Sequence, residues 1–246
     1  MGCRLDRIPA LIISLLITFL VAGNYFFFKS YENTLEKITI ERVLDGDTIE
    51  TTDGRKIRLA NINTPEKKFS YSGLAKDYLS NFINKEIYLE KKGIDKYSRT
   101  LGKLFFGNEY LNLEIVKLGM AHGFMVYDDE IDIFSDAEAE ARAKKIGIWE
   151  ISRYSNCIDL EINKYDEYVD IIDSCDADFK NWNIKDESTK TYVFKKDFSG
   201  KIRLYSSNGQ ENETALFWKR ENVWNDDGDS VFVRDSAGFL AYYEHY

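Results

Sequence analysis

The sequence predicts a mainly β protein with some α: a five-stranded barrel carrying helices, then an all-β sandwich, with a transmembrane helix ahead of both. Three observations predict it. Tyr and Phe number 16 each against 2 Pro, a balance that favours pleated, half-buried strands. Apolar alternation with period two fills residues 37–107 around one helix-period stretch, and it returns after Cys157 with none. An uncharged run of 21 residues, Ile8 to Phe28, opens the chain. At 246 residues there is room for two small domains, since one core usually saturates at about 100 to 200 residues.

The opening run follows Arg4 and Arg7, and about 20 apolar residues suffice to span a bilayer as a helix. Positive charge ahead of it places that end in the cytoplasm and the rest of the chain outside. The expectation is therefore a single-pass anchor within residues 1–30. The rival is a signal peptide cleaved near "VAG", Val21 to Gly23, which would release a secreted protein.

"KITIERVL", "DTIETTDGRKIRLANI", "KEIYLEKK" and "RTLGKLFFG" alternate as half-buried strands, with Asp53 and Gly54 as a hairpin turn. Between the third and fourth strands "SGLAKDYLSNFIN" sets Leu74, Tyr78, Leu79 and Phe82 on one helical face. "LNLEIVKLGMA" is a second helix ended by Gly119, and "SDAEAEARAKKIGIW" a third, opened by Ser135 as N-cap with Glu138 three residues on. Five strands with a helix inserted late and helices trailing behind predict a Greek-key barrel of the OB-fold type over residues 36–151.

From Cys157 onward "EYVDIID", "NWNIKD", "KTYVFKK", "KIRLYS", "TALFWK", "DSVFVRD" and "FLAYYEHY" read as strands alone. Turn signals such as "DFSG", "SSNG" and "NDDGD" separate several of them, as in a β-sandwich over residues 156–246. Cys157 and Cys175 read either as a disulfide permitted by export or as two small buried hydrophobes.

Charge constrains the function. The net charge is −9, and acidic residues outnumber basic ones 22 to 18 over residues 31–151 and 19 to 12 over residues 152–246. No segment is a basic footprint of the kind phosphate binders carry, so an anionic substrate needs a cation or a few well-placed arginines. "RVLDGDTIE" sets Asp45 and Asp47 on either side of Gly46, which alone reads as a tight turn. In such a barrel the turn after the first strand can lie beside the end of the third, bringing Asp45, Asp47, Asn63, Thr64 and Glu66 together. A cluster of hard oxygens suits Ca²⁺ better than Zn²⁺, which would want His or Cys. Arg58, on the strand leading to that cluster, and Arg99, in the loop before the fifth strand, can grip phosphate oxygens. Metal, two guanidinium groups and a free carboxylate are what phosphodiester hydrolysis requires. His122 has no Ser or Cys partner and reads as a rim histidine, while Asp128, Asp129, Glu130 and Asp132 read as a solvated acidic loop.

Taken together, "VLDGDTIE", "IRLANINTPE", "DKYSRTLGKLFF", "LNLEIVKLGMAHGFMVY" and "AEARAKKIGIW" resemble the thermonuclease family of staphylococcal-type secreted nucleases over residues 37–150. The resemblance implies a calcium-dependent endonuclease that cleaves DNA and RNA at the 5′ P–O bond and leaves 3′-phosphates. By position it implies Arg58, Glu66 and Arg99 as catalytic residues. Asp47, Asn63 and Thr64 would be calcium ligands, Thr64 through its carbonyl, with Asp45 just behind them. Tyr97 and Tyr127 match positions that lie against the nucleoside in similar enzymes. Asn63 stands where the family usually has Asp, and Ser98 where Gly is common, so slower or more calcium-demanding catalysis is expected. "VWNDDGDSVFVRDSAGFLAYY", with Trp224, Gly228, Asp229 and Asp235, resembles the lamin-tail domain, an immunoglobulin-like sandwich that implies positioning or adhesion and no catalysis. In "NDDGD" the aspartates read as a turn capping its own backbone in preference to a calcium site. The expected protein is a monomeric, membrane-anchored extracellular nuclease, with a non-catalytic nucleic-acid-binding or adhesive surface protein as the alternative.

Overall fold

The computed structural model describes residues 12–22, 35–126 and 128–246. Residues 12–22 form helix α1. The rest of the expected anchor lies outside the described residues, among which no helix is long and apolar enough to cross a membrane.

β1 (Glu36–Asp45), β2 (Thr48–Thr51) and β3 (Lys56–Leu59) form an antiparallel meander. β4 (Ile62–Asn63) is a short strand, and helix α2 (Ser72–Ser80) follows it. β5 (Glu86–Ile94) returns antiparallel to β1, β6 (Thr100–Phe106) pairs with β5, and the parallel pairing of β6 with β3 closes the ring. Closure of β3-β2-β1-β5-β6 gives a five-stranded barrel of the OB type. It is filled by alternate residues of each strand, among them Ile40, Ile49, Ile57, Ile87 and Leu104, all fully buried. β7 (Glu109–Tyr110) folds back antiparallel on β6 and leads into helix α3 (Leu111–Lys117). β8 (His122–Gly123) pairs with β4, so that Asn63 lies opposite His122.

Helix α4 (Ile131–Lys144) starts one turn earlier than predicted. Glu130 is its N-cap and makes no side-chain cap bond, while Ser135 lies inside the helix. The buried face, Phe134, Ala137 and Ala141, begins before Ser135, so packing of Phe134 outweighs the local capping preference. Glu138 does not turn back to cap the helix but accepts the Gly123 N–H at 2.8 Å.

The remaining strands are β9 (Ile158–Asn163), β10 (Tyr168–Asp173), β11 (Asn183–Lys185), β12 (Thr191–Val193), β13 (Lys201–Tyr205), β14 (Ala215–Phe217), β15 (Ser230–Arg234) and β16 (Leu240–His245). They make two four-stranded sheets, β14-β13-β10-β9 and β12-β11-β15-β16, around a core containing Phe179, Trp182, Phe194 and Trp224. β9 is an addition to the predicted strands, although Ile158, Leu160 and Ile162 alternate as a strand should. Cys157 and Cys175 are bonded, with Cα atoms 5.5 Å apart.

The two units are joined by a hydrophobic cluster of their own. Ala141, Ile148 and Trp149 from the barrel side meet Phe232 and Leu240 of the sandwich. Leu240 N donates to Glu150 O and Ser152 N to Leu240 O, both at 2.8 Å, and Arg234 Nη1 reaches Ile148 O at 2.6 Å.

Candidate active site

The turn between β1 and β2 is Gly46-Asp47, with Asp45 opposite Thr48. Gly46 is required by what packs on it: a Cβ there would stand 2.8 Å from Thr64 Oγ1 and 3.0 Å from Thr64 Cβ. The glycine lets the segment after β3 lie directly on the turn, and that contact gathers the site. Asp47 Oδ2 accepts the Thr64 hydroxyl at 3.1 Å and faces Thr64 N at 3.4 Å, and Leu59 N donates to Asp47 O at 2.8 Å.

Arg58 lies opposite Thr48 in the β2–β3 ladder, which aims its guanidinium at the turn. Its Nη2 is 3.0 Å from Asp47 Oδ2 and 3.5 Å from Asn63 Oδ1, and its Nη1 donates to Leu59 O at 2.6 Å. Both charges are buried. Burial pushes the Asp47 carboxyl above the usual carboxylate range, the Arg58 charge opposes this and Asp45 adds to it. Burial likewise pulls Arg58 down, Asp47 opposes this and Arg99 adds to it.

Arg99 closes the β5–β6 loop. Asp95 Oδ1 accepts the N–H of Tyr97 and of Arg99, both at 2.9 Å, and Asp95 Oδ2 takes Arg99 Nε at 2.7 Å. Arg99 Nη1 then reaches Thr48 Oγ1 at 3.2 Å. Ser98 has φ 63°, the left-handed region that glycine enters without cost, which is the physical reason a glycine suits this position. Tyr97 is 67% exposed, with its ring centroid 5.4 Å from the Arg99 guanidinium carbon. Asp45, Asp47, Arg58, Asn63, Thr64, Glu66, Tyr97 and Arg99 therefore line one open cavity of about 570 Å³. Glu66 is exposed within it. Tyr127 lies outside the described residues.

A family model described as staphylococcal nuclease homologue matches residues 56–151. A thermonuclease of Staphylococcus intermedius is 32% identical over 158 residues, which is 58% of this chain and 94% of that protein. The chain belongs to the staphylococcal nuclease homologue family. An uncharacterized endonuclease of Haemophilus influenzae is 37% identical over 115 residues, 45% of this chain and 64% of its own length, just under two thirds. A micrococcal nuclease of Shigella flexneri is 31% identical over 124 residues, 45% of this chain and 71% of its own length. The family model ends at residue 151, ahead of both sandwich sheets.

The sandwich nevertheless reaches this cavity. Asn63 Nδ2 donates to Glu187 O at 3.0 Å and to Ser188 O at 2.8 Å, and Thr189 lines the same cavity as the arginines. With its NH₂ held by two carbonyls, the Asn63 amide keeps Oδ1 on the side of Arg58. His122, expected at a rim, is buried between the units: Nδ1 is 2.8 Å from Gly123 O, Nε2 is 3.3 Å from Lys185 Nζ, and the ring lies 4.9 Å from Phe232. Burial, then the Lys185 charge, holds it well below the ordinary histidine range, which makes it a neutral packing residue. Burial also pulls Lys185 down to about 8. No local pattern marks Lys185, Glu187 or Thr189 as site residues, and their place at the site comes only from the packing of the two units.

The oxygen set fits a hard divalent cation. Asp47 is a buried carboxylate whose ionised form is disfavoured by desolvation and by Asp45, a situation that a cation relieves. Its neighbours Asn63 and Thr64 add amide, hydroxyl and carbonyl oxygens. Among the described residues no group of three or more His, Cys, Asp and Glu side chains gathers, so a cation here would complete its shell with neutral oxygens and water.

Proposed function

We propose that the chain is a calcium-dependent endonuclease that hydrolyses phosphodiester bonds in DNA and RNA and leaves 3′-phosphates. The observation that carries this is the convergence of Arg58, Arg99, the buried Asp47 and the exposed Glu66 on one cavity. Asp47, Asn63 and Thr64 would hold the calcium, with Asp45 behind them, and the ion when bound would polarise a phosphoryl oxygen.

The chain's own residues do the rest. Glu66 takes a proton from the attacking water as its oxygen bonds to phosphorus. Arg58 and Arg99 hold the charge that accumulates on the phosphoryl oxygens. The 5′ oxygen leaves with the bonding pair and gains a proton from solvent. Tyr97 offers a sequence-tolerant face to a base, and Tyr127 is assigned the same part.

Residues 36–151 are the nuclease domain in this reading, and residues 156–246 a lamin-tail-like immunoglobulin sandwich. The N-terminal segment holds the monomer at the cell membrane with both domains outside, or is cleaved to release it. The bonded Cys157 and Cys175 support export, because disulfides persist in oxidising compartments.

The test is digestion of single-stranded DNA by the full chain with calcium or with chelator, beside Glu66→Ser and Arg99→Gly. Each change is expected to lower turnover by about 10² to 10³-fold or more, and chelator to abolish it. Cleavage indifferent to chelator, or to both substitutions, would overturn the mechanism.

A further inference from the structure

We infer that the sandwich completes the substrate groove: a second anion-binding subsite, built from both units, holds the phosphates of a nucleic-acid strand beyond the scissile one. This rests on the nuclease reading of the adjoining cavity. A second open cavity, about 450 Å³, lies on the far side of Glu66. Lys67, Lys68 and Phe69 line it from the barrel side, and Thr189 and Arg220 from the sandwich. Glu66, Lys67 and Thr189 line both cavities, so the two form one continuous groove with Glu66 at the junction.

Three cations face one carboxylate there, in a chain whose net charge is −9. Among the described residues, the side chains of Lys67 and Arg220 are engaged in no ion pair or hydrogen bond, and Lys68 Nζ sits 4.9 Å from the centre of the Phe69 ring. By contrast Lys201 and Arg203, on β13 of the same sandwich, meet Asp170 at 2.9 and 2.6 Å. Free cations beside an aromatic ring are what a single strand needs, charge for the backbone and a face for a base.

The wall is rigid. Asp186 is fully buried and accepts Ser188 Oγ at 2.8 and 2.7 Å and Lys190 N at 3.2 Å. Asp229 Oδ2 accepts Asn225 N at 3.1 Å, the capping of its own turn expected of "NDDGD", and its Oδ1 takes Glu187 N at 3.1 Å, which fixes the loop that carries Thr189. Lys190 Nζ donates to Asn222 O, which ties the turn bearing Arg220 to the same loop. Asn63 anchors that loop to the catalytic side through two hydrogen bonds. A strand leaving the first cavity past Glu66 therefore meets Lys67, then Arg220, on a preformed surface.

The test compares the full chain with Arg220→Glu on a dinucleotide and on a twenty-nucleotide single strand, and measures binding of the labelled longer strand in chelator over a salt series. The ratio of kcat/KM for the long substrate to that for the short one is expected to fall about tenfold. The slope of log affinity against log salt should lose about 0.7 for each phosphate contact removed. An unchanged ratio and slope would overturn the subsite. If the parent chain binds the strand but never cleaves it, the nuclease reading fails, while the salt slope still judges the subsite. If the parent neither binds the strand nor cleaves it with calcium, both fall, and if it cleaves without binding in chelator, the kcat/KM ratio alone judges the subsite.

Discussion

Asn63 shows how one side chain can serve two sites. An aspartate at this position would add a formal charge to the oxygen set around Asp47, but it would present oxygen to the carbonyls of Glu187 and Ser188, where Asn63 now donates at 3.0 and 2.8 Å. In the calcium-dependent reading the amide thus gives up cation affinity for a joint with the sandwich. Asn63→Asp is expected to lower the calcium concentration for half-maximal cleavage and to destabilise the fold by about 1 to 3 kcal/mol, the cost of leaving buried acceptors unpaired. Calcium titration and urea denaturation read the two effects separately. A variant that gains calcium affinity at no cost in stability would show the joint to be idle. Thr64 and Gly46 are the complementary case, since a Cβ added at position 46 would stand 2.8 Å from Thr64 Oγ1 and push the two segments apart.

At the scale of elements, the barrel was legible because its signals are local. Period-two alternation marks β1, β2, β3, β5 and β6, and the tight approach of β1 and β2 is written in "DGD". The start of α4 was not, because Phe134 is placed by the core and overrides a good capping box at Ser135. The acidic stretch before it was misjudged in part for the same reason: Glu130 pairs with the buried Lys103 at 2.9 Å and is no solvated residue. The loop from Asp186 to Lys190 was least legible of all, since it meets Asn63 across 124 residues of sequence and no local pattern carries that distance. Its electrostatics make a prediction. Burial, followed by the charges of Asp229 and Asp186, pushes Glu187 up to about 7 from the ordinary 4.5. Between these values the folded chain holds a proton that the unfolded chain has released, so stability falls as pH rises through that window, and the loss is complete above about 7. The fall in Tm between about pH 5 and pH 8 should be smaller in Glu187→Gln than in the parent, and equal falls would place the raised carboxyl elsewhere. Within the sandwich, the Cys157–Cys175 bond closes a loop with a sequence separation of 18. Cys175→Ser is expected to cost about 3 kcal/mol in chemical denaturation, mainly by freeing the unfolded chain.

For the whole molecule, the question is whether barrel and sandwich behave as two beads on a string or as one body. Inter-domain contacts within a chain permit relative motion unless the interface is hydrophobic and continuous with both cores. Here Trp149 and Phe232, 0% and 2% exposed, pack with ring centres 5.9 Å apart, and Tyr243 closes over both at 5.1 Å. Around them Ser70 Oγ donates to Ala237 O at 2.9 Å and Arg234 Nη1 to Ile148 O at 2.6 Å, so polar bonds ring an apolar centre. Such a joint couples unfolding: opening it exposes Trp149 on the barrel side and one face of Phe232 on the sandwich, a cost both units share. The parent chain should therefore unfold calorimetrically in one transition. Phe232→Ala, which empties the centre of the joint while leaving the sandwich's main core of Trp182, Trp224 and Phe179 intact, is expected to cost about 3 to 5 kcal/mol and to separate the transition into two. Because Phe232 pairs with Lys185 at the start of the loop that carries Thr189, the same substitution should reduce the preference for long strands over dinucleotides, although Phe232 does not line the groove in which they would lie. A single unshifted transition in Phe232→Ala, with strand-length preference intact, would show that the sandwich rides on the barrel without shaping what it cleaves.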